Sequence, residues 1–322
     1  MERRAFIVAV ILNLLTVGAG SAQESVKHYR LGIISAGNPR STAFYVAFEA
    51  RLRELGWIDG KNLTIEFETG ENPEQLSAIA ARMVRSRVDA ILAVGPEPTL
   101  KAASEATRSI PIVSVALNFD PVEKGYVTSL ARPGRNITGV FFRNLEVGPK
   151  QLEYLRLAIP RASRVGVLWT EFSADQLPPL DAEASRVAIR LDKIKLVHPY
   201  DIEATFAALR ARGVDAVLAL GDPVVFRERL GIAKAGLEKR LPVVGGRYGA
   251  EIGFLVGFGP DLNSALRGGA DYVDQVLRGG KAEEIPFQQP TKFDLTINLK
   301  TAKALGLTVP QSMLLRADEV IQ

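Results

Sequence analysis

Ala90-Ile-Leu-Ala-Val94, with the turn that follows it, Gly95-Pro-Glu-Pro-Thr99, decides the architecture. Five apolar residues in unbroken succession, bounded by glycine and proline, suit a strand covered on both faces, and strands of that kind belong to parallel sheets. Working outward, further apolar or β-branched runs fall at 29–35, 63–68, 110–116 and 137–142. Amphipathic helical stretches are expected between and around them at 41–55, 74–85, 97–107 and 121–131. In the first of these Phe44, Phe48, Leu52 and Leu55 share one stripe.

The rhythm then restarts. Strands are expected at 164–169, 194–197, 216–220, 242–245 and 254–257, separated by helices at 149–158, 179–191, 201–212, 224–239 and 261–278. Alternating strands and helices imply α/β organisation with doubly wound parallel sheets, because right-handed crossovers place helices on both faces. Two cycles of similar length imply two lobes of one architecture. The tail reads as an extended stretch at 286–290, a strand at 293–299 and a short helix at 301–305 that stops at Gly306.

Met1-Glu-Arg-Arg4, the apolar stretch Ala5 to Val17 and the small residues Gly18-Ala-Gly-Ser-Ala22 make the three-part pattern of a secretory signal. Cleavage is expected after Ala22, with residues 1–22 as the signal peptide. The chain has no cysteine, so it has neither disulfides nor the residue a lipid anchor needs, and a soluble periplasmic protein is expected. The formal net charge of +4 comes from interspersed opposite charges, which argues against nucleic acid as a partner. Two histidines and no cysteine exclude a structural zinc site, and no HExxH, P-loop or Gly-x-Ser-x-Gly elbow is present. An enzyme is not expected, nor is a cofactor or metal.

Ligands of an open doubly wound sheet sit beyond the carboxyl ends of its strands. The loop Ser35-Ala-Gly-Asn-Pro-Arg-Ser-Thr42 opens a helix whose free N–H groups suit a carboxylate, which makes Ser35, Asn38 and Ser41 candidates. Asn38 also reads as a turn residue, and Ser41 or Thr42 as a cap. Gly95, Pro96 and Glu97 follow the third strand. Gly95 permits close backbone approach, while Glu97 suits either a ligand ammonium or the helix dipole. Asn118 and Asp120 follow the fourth strand, and Asp222 its counterpart in the second half; both aspartates precede a proline and also read as N-caps. Trp169 and Tyr248 supply ring area at the edge of a cleft, or packing beneath a loop.

Two longer stretches carry a family resemblance. Asp120-Pro-Val-Glu-Lys-Gly-Tyr-Val-Thr-Ser-Leu-Ala-Arg-Pro-Gly-Arg-Asn-Ile-Thr-Gly-Val140 and Gln289-Pro-Thr-Lys-Phe-Asp-Leu-Thr-Ile-Asn-Leu-Lys-Thr-Ala-Lys-Ala-Leu-Gly-Leu-Thr-Val-Pro310 strongly resemble the ABC-transporter substrate-binding family that includes tryptophan- and tyrosine-binding receptors. The resemblance implies a type I periplasmic binding fold with three hinge crossings, near 138–143, 256–261 and 287–298. Its lobes are expected at 28–139 plus 260–288 and at 140–259 plus 289–322. It implies a monomeric receptor for a small organic solute, amino-acid-like or an aromatic or carboxylate compound, that works with an inner-membrane ABC permease and its ATPase. An exported sensory module and an enzyme on the same fold are the competing expectations. In the family the loops after the first, third and fourth strands hold the ligand. Here Pro96-Glu97-Pro98 replaces the usual small residues and Arg135 a usual glycine, so the implied receptor role does not extend to a particular ligand.

Overall fold

The computed structural model describes residues 27–142, 144–289 and 292–322. The expected signal peptide, 1–22, lies outside the described residues, as do three residues within the expected hinge crossings, Arg143, Pro290 and Thr291. One sheet is built from β1 (Tyr29–Ala36), β2 (Leu63–Gly70), β3 (Ala90–Gly95), β4 (Ile112–Leu117) and β5 (Ile137–Phe142), in the order β2-β1-β3-β4-β5 and parallel throughout. The second comprises β6 (Arg164–Trp169), β7 (Arg190–Lys195), β8 (Ala216–Ala219), β9 (Val243–Gly245), β10 (Val256–Pro260), β11 (Phe293–Asn298) and β12 (Glu319–Ile321). Its order is β12-β11-β10-β9-β8-β6-β7, and only β10 and β11 are antiparallel.

The continuous apolar runs resolve into two faces. Leu31, Ile33 and Leu92 join Phe48 and Leu52 on one side of the first sheet, while Ile34, Ile91 and Ala93 meet Leu76 and Ile79 on the other. Every residue of β3 is buried, as a central strand between two helical layers requires. The helix Leu262–Leu277 lies against Ala43–Glu54 on the first lobe. Arg51 Nε meets Asp271 Oδ1 at 2.8 Å, and Trp57 Nε1 donates to Asp274 Oδ1 at 2.8 Å.

β5 stays in the first sheet through Phe142, so the expected lobe boundary at 139/140 falls inside a strand. Gln288 runs beside it: Gln288 N donates to the Gly139 carbonyl and Phe141 N to the Gln288 carbonyl, each at 3.0 Å. The chain passes to the second sheet after Phe142, returns after Pro260, and passes again between Gln288 and Phe293.

Two expectations are corrected. Residues 121–131 form no helix. Asp120 starts a single turn, closed by Lys124 N to Asp120 O and Tyr126 N to Pro121 O, and Gly125 at φ +73° leads the chain out of it. The strand expected at 194–197 runs instead over Arg190–Lys195. It is a sheet edge, where charged side chains replace the apolar signature of a central strand; Asp192 there is paired to Arg164 at 2.5 Å.

Gly139, at φ +141°, fixes the β4–β5 pairing, since a Cβ there would stand 2.0 Å from the Ser114 carbonyl oxygen. Gly139→Ala is therefore expected to cost about 3 kcal/mol or more, from backbone strain and overlap together. Gly231→Ala, in an exposed helical position where a Cβ would meet only Ile202 Cγ1 at an ordinary 3.9 Å, should be neutral or stabilising by up to about 1 kcal/mol. Urea denaturation of the two variants checks both values.

Candidate ligand-binding cleft

In the first sheet the chain winds outward in both directions from between β1 and β3, and in the second from between β6 and β8. The crevice at such a switch point opens beyond the strands' carboxyl ends. A cavity of about 130 Å³ lies there, walled by the loops after β1, β3 and β4 on one side and those after β8 and β9 on the other. Apolar side chains dominate it, among them Phe44, Val94, Leu117, Val225, Phe226 and Leu262.

The lobes touch around this cavity. Asn118, held at φ +71° at the end of β4, donates from Nδ2 to the Gly221 carbonyl at 3.0 Å. Phe226 meets Phe44 across the gap with ring centroids 5.7 Å apart, and Tyr248 of its own lobe at 6.4 Å. Arg227 pairs with Glu71 at 2.5 Å across the same gap.

Of the residues singled out from sequence, Asn38, Gly95, Pro96, Asn118, Asp222 and Tyr248 line the cavity. Asn38 is tied by Nδ2 to the Ala36 carbonyl at 3.1 Å. Asp222 is buried and caps the helix Pro223–Arg227. Its Oδ1 accepts from Val225 N at 2.8 Å, and its Oδ2 accepts from the hydroxyls of Ser173 at 2.7 Å and Thr170 at 3.0 Å. Burial pushes this carboxyl above the usual range against the pull of those donors. Tyr248 donates to Asp261 Oδ1 at 2.6 Å, and burial together with that carboxylate pushes its phenol up.

The other five stand outside the cavity lining, each for a local reason. Ser35 is fully buried and donates to the Asn38 carbonyl at 2.8 Å. Ser41 is exposed and borders an outer groove. Glu97 faces away, accepting from the Tyr126 hydroxyl at 2.8 Å with Lys124 at 3.6 Å. Asp120 caps its own turn, accepting from Val122 N at 2.7 Å. Trp169 packs on the second-lobe core, with the Lys195 ammonium 5.3 Å from its ring centre.

Sequence reasoning passed over Tyr45, Phe226, Arg229 and Arg247, which also line the cavity. Phe44 was visible only as part of a helical core stripe. Pro223-Val-Val-Phe226 after an aspartate cap was the available signal for Phe226; Arg229, on a helix with ordinary surface charge, had none.

The ABC transporter substrate binding protein family model matches residues 38–321. The chain belongs to this family. A curated relative, the tyrosine-binding protein of Clostridioides difficile strain R20291, is 26% identical over 291 residues, covering 88% of this chain and 83% of that protein. Among solved structures, a conserved domain protein from Vibrio cholerae O1 biovar eltor superposes with a TM-score of 0.80 at 26% identity, covering 91% of this chain and all of that one. An ABC domain in complex with L-Trp from Streptococcus pneumonia gives 0.79 at 22% identity, covering 92% and 100%. The fold is that of type I periplasmic binding proteins.

Phe226→Ala removes ring contacts between the lobes and should tip the molecule toward an open form by about 2 kcal/mol, less than a fully buried phenylalanine costs. Small-angle scattering should then give a larger radius of gyration with little change in melting temperature. Asp222→Asn keeps the cap while removing a buried charge. Because the folded carboxyl titrates above its unfolded value, the wild type loses stability relative to Asp222→Asn as pH rises from the ordinary aspartate range through the raised value. Melting curves of the pair from pH 3 upward should diverge in that direction; a gap independent of pH refutes it.

Proposed function

We propose that this protein is the exported solute receptor of an importer. It closes on one small organic molecule, amino-acid-like or an aromatic or carboxylate compound, and presents it to an inner-membrane ABC permease driven by its ATPase. The observation that carries the reading is the shared cavity: loops from both lobes wall it, so any solute inside touches both. Contacts to both lobes favour the closed state, and a hinge motion with differential contacts is how such a receptor signals occupancy. The basic and apolar start of the chain supports delivery to the periplasm, and a chain without cysteine offers no thiol for a lipid anchor. Of the candidates outside the cavity, Asp120 and Glu97 act in shaping its first-lobe rim, Ser35 in holding the Asn38 loop, and Trp169 in packing the second lobe; Ser41 belongs to the cleft mouth.

Mass spectrometry of whatever small molecule co-purifies with the native protein is the first test. A thermal-shift screen over amino acids, aromatic acids and nucleobases is the second, since a ligand at about 100 times its dissociation constant adds roughly 2.7 kcal/mol. The bound compound is expected to be recovered chemically unchanged. A folded sample that responds to nothing in the screen and carries no compound sinks the receptor reading.

A further inference from the structure

Charge is distributed unevenly in the cavity. Its lining holds one carboxylate and two guanidinium groups: Asp222, Arg229 and Arg247. Asp222 is spent on three donors from its own lobe. Arg247 is held by Asp294 at 2.9 Å and reached by Glu251 at 3.4 Å. Of the two guanidinium groups only Arg229 has no carboxylate partner among the described residues. Its guanidinium lies 4.3 Å from the Phe226 ring centre and spends one bond, from one terminal nitrogen to the Phe226 carbonyl at 2.7 Å. A guanidinium carries five N–H donors in a planar fork that matches a carboxylate.

A second polar group lies elsewhere on the same wall. Tyr45 is 1% exposed, lines the cavity, and its hydroxyl has no hydrogen-bond partner. Ser35, the polar side chain beside it, gives its own hydroxyl proton to the Asn38 carbonyl, so it can serve Tyr45 only as an acceptor and leaves the phenol oxygen's lone pairs without a donor. A buried hydroxyl left unpaired costs about 1–3 kcal/mol, a cost that a polar group on the solute removes. Between the two groups the wall is aromatic. Tyr45 meets Phe44 at 4.7 Å, Phe44 meets Phe226 at 5.7 Å, and Phe226 carries Arg229. The space is about 130 Å³, room for no more than one ring, since an apolar cavity of roughly 150 Å³ holds benzene.

We infer that the solute is a one-ring aromatic carboxylate without an α-ammonium group, its carboxylate taken by Arg229 and a ring hydroxyl or carbonyl by Tyr45. This rests on the receptor reading above and narrows it. An amino acid brings an ammonium for which the lining offers no free carboxylate; an aromatic acid brings only the anion that Arg229 lacks.

Isothermal titration calorimetry of the purified full chain with 4-hydroxybenzoate, benzoate and L-tyrosine tests this. 4-Hydroxybenzoate is expected to bind at least about tenfold more tightly than L-tyrosine. Arg229→Gln should weaken both acids by about tenfold or more, with Arg229→Lys, which keeps charge but loses the fork, falling between. Tyr45→Phe preserves the packing and should erase the preference for 4-hydroxybenzoate over benzoate. Circular dichroism establishes that each variant is folded. The inference is overturned if L-tyrosine binds as tightly as the acids, if Arg229→Gln leaves their affinity unchanged, or if none of the three probes binds. In that last case saturable binding of some other co-purified solute leaves the receptor reading standing, whereas no saturable solute of any kind fells both.

Discussion

Parallel strand pairing is the constraint on which the molecule depends. When β1, β3 and β4 all run one way, their carboxyl ends emerge on one edge, and the loops that leave them stand together there. The same holds for β8 and β9 in the second sheet. Turned toward each other, these two edges make a crevice without any residue having been placed there for binding. The chain's passages between the sheets, after Phe142, after Pro260 and beyond Gln288, then keep the edges opposed.

The strand-and-helix rhythm was legible because central parallel strands are buried on both faces, and that burial writes itself as unbroken apolar runs such as Ala90–Val94. Legibility failed where the same physics is relaxed. The edge strand β7 carries Arg190, Asp192, Lys193 and Lys195, so its apolar signal is lost. Residues 121–131 have helical spacing, but Gly125 ends the only turn that Asp120 begins. Within the crevice the loop residues next to glycine or proline were readable, because turn chemistry leaves a local mark. Tyr45 and Arg229 leave none: whether a helix tyrosine is core or lining depends on which lobe faces it.

Several of the contacts between the lobes are individually small. Arg227 and Glu71 are part-exposed, and ion pairs of that kind contribute at most about 1 kcal/mol. A single uncharged hydrogen bond, Asn118 to Gly221, is worth about as much. Phe226 against Phe44 adds apolar area that is half-buried on one partner. A solute that supplies a few kcal/mol of contacts to both walls therefore acts on the same scale as these terms.

The internal economy of the crevice points to where that contribution arises. Asp222 satisfies its oxygens within its own lobe, so the second lobe's loop is rigid before closure and pays little to become ordered. The two polar groups left over, Arg229 on the second lobe and the Tyr45 hydroxyl on the first, belong to opposite sides of the hinge. A solute that pairs with both spans the gap directly, and its hydrogen bonds are made only when the lobes meet. Shape then follows from the same arrangement, because the aromatic wall between Tyr45 and Arg229 accepts a flat body and leaves no room to solvate a second charge. Binding and closure become one event, since only the closed form offers such a solute both partners at once.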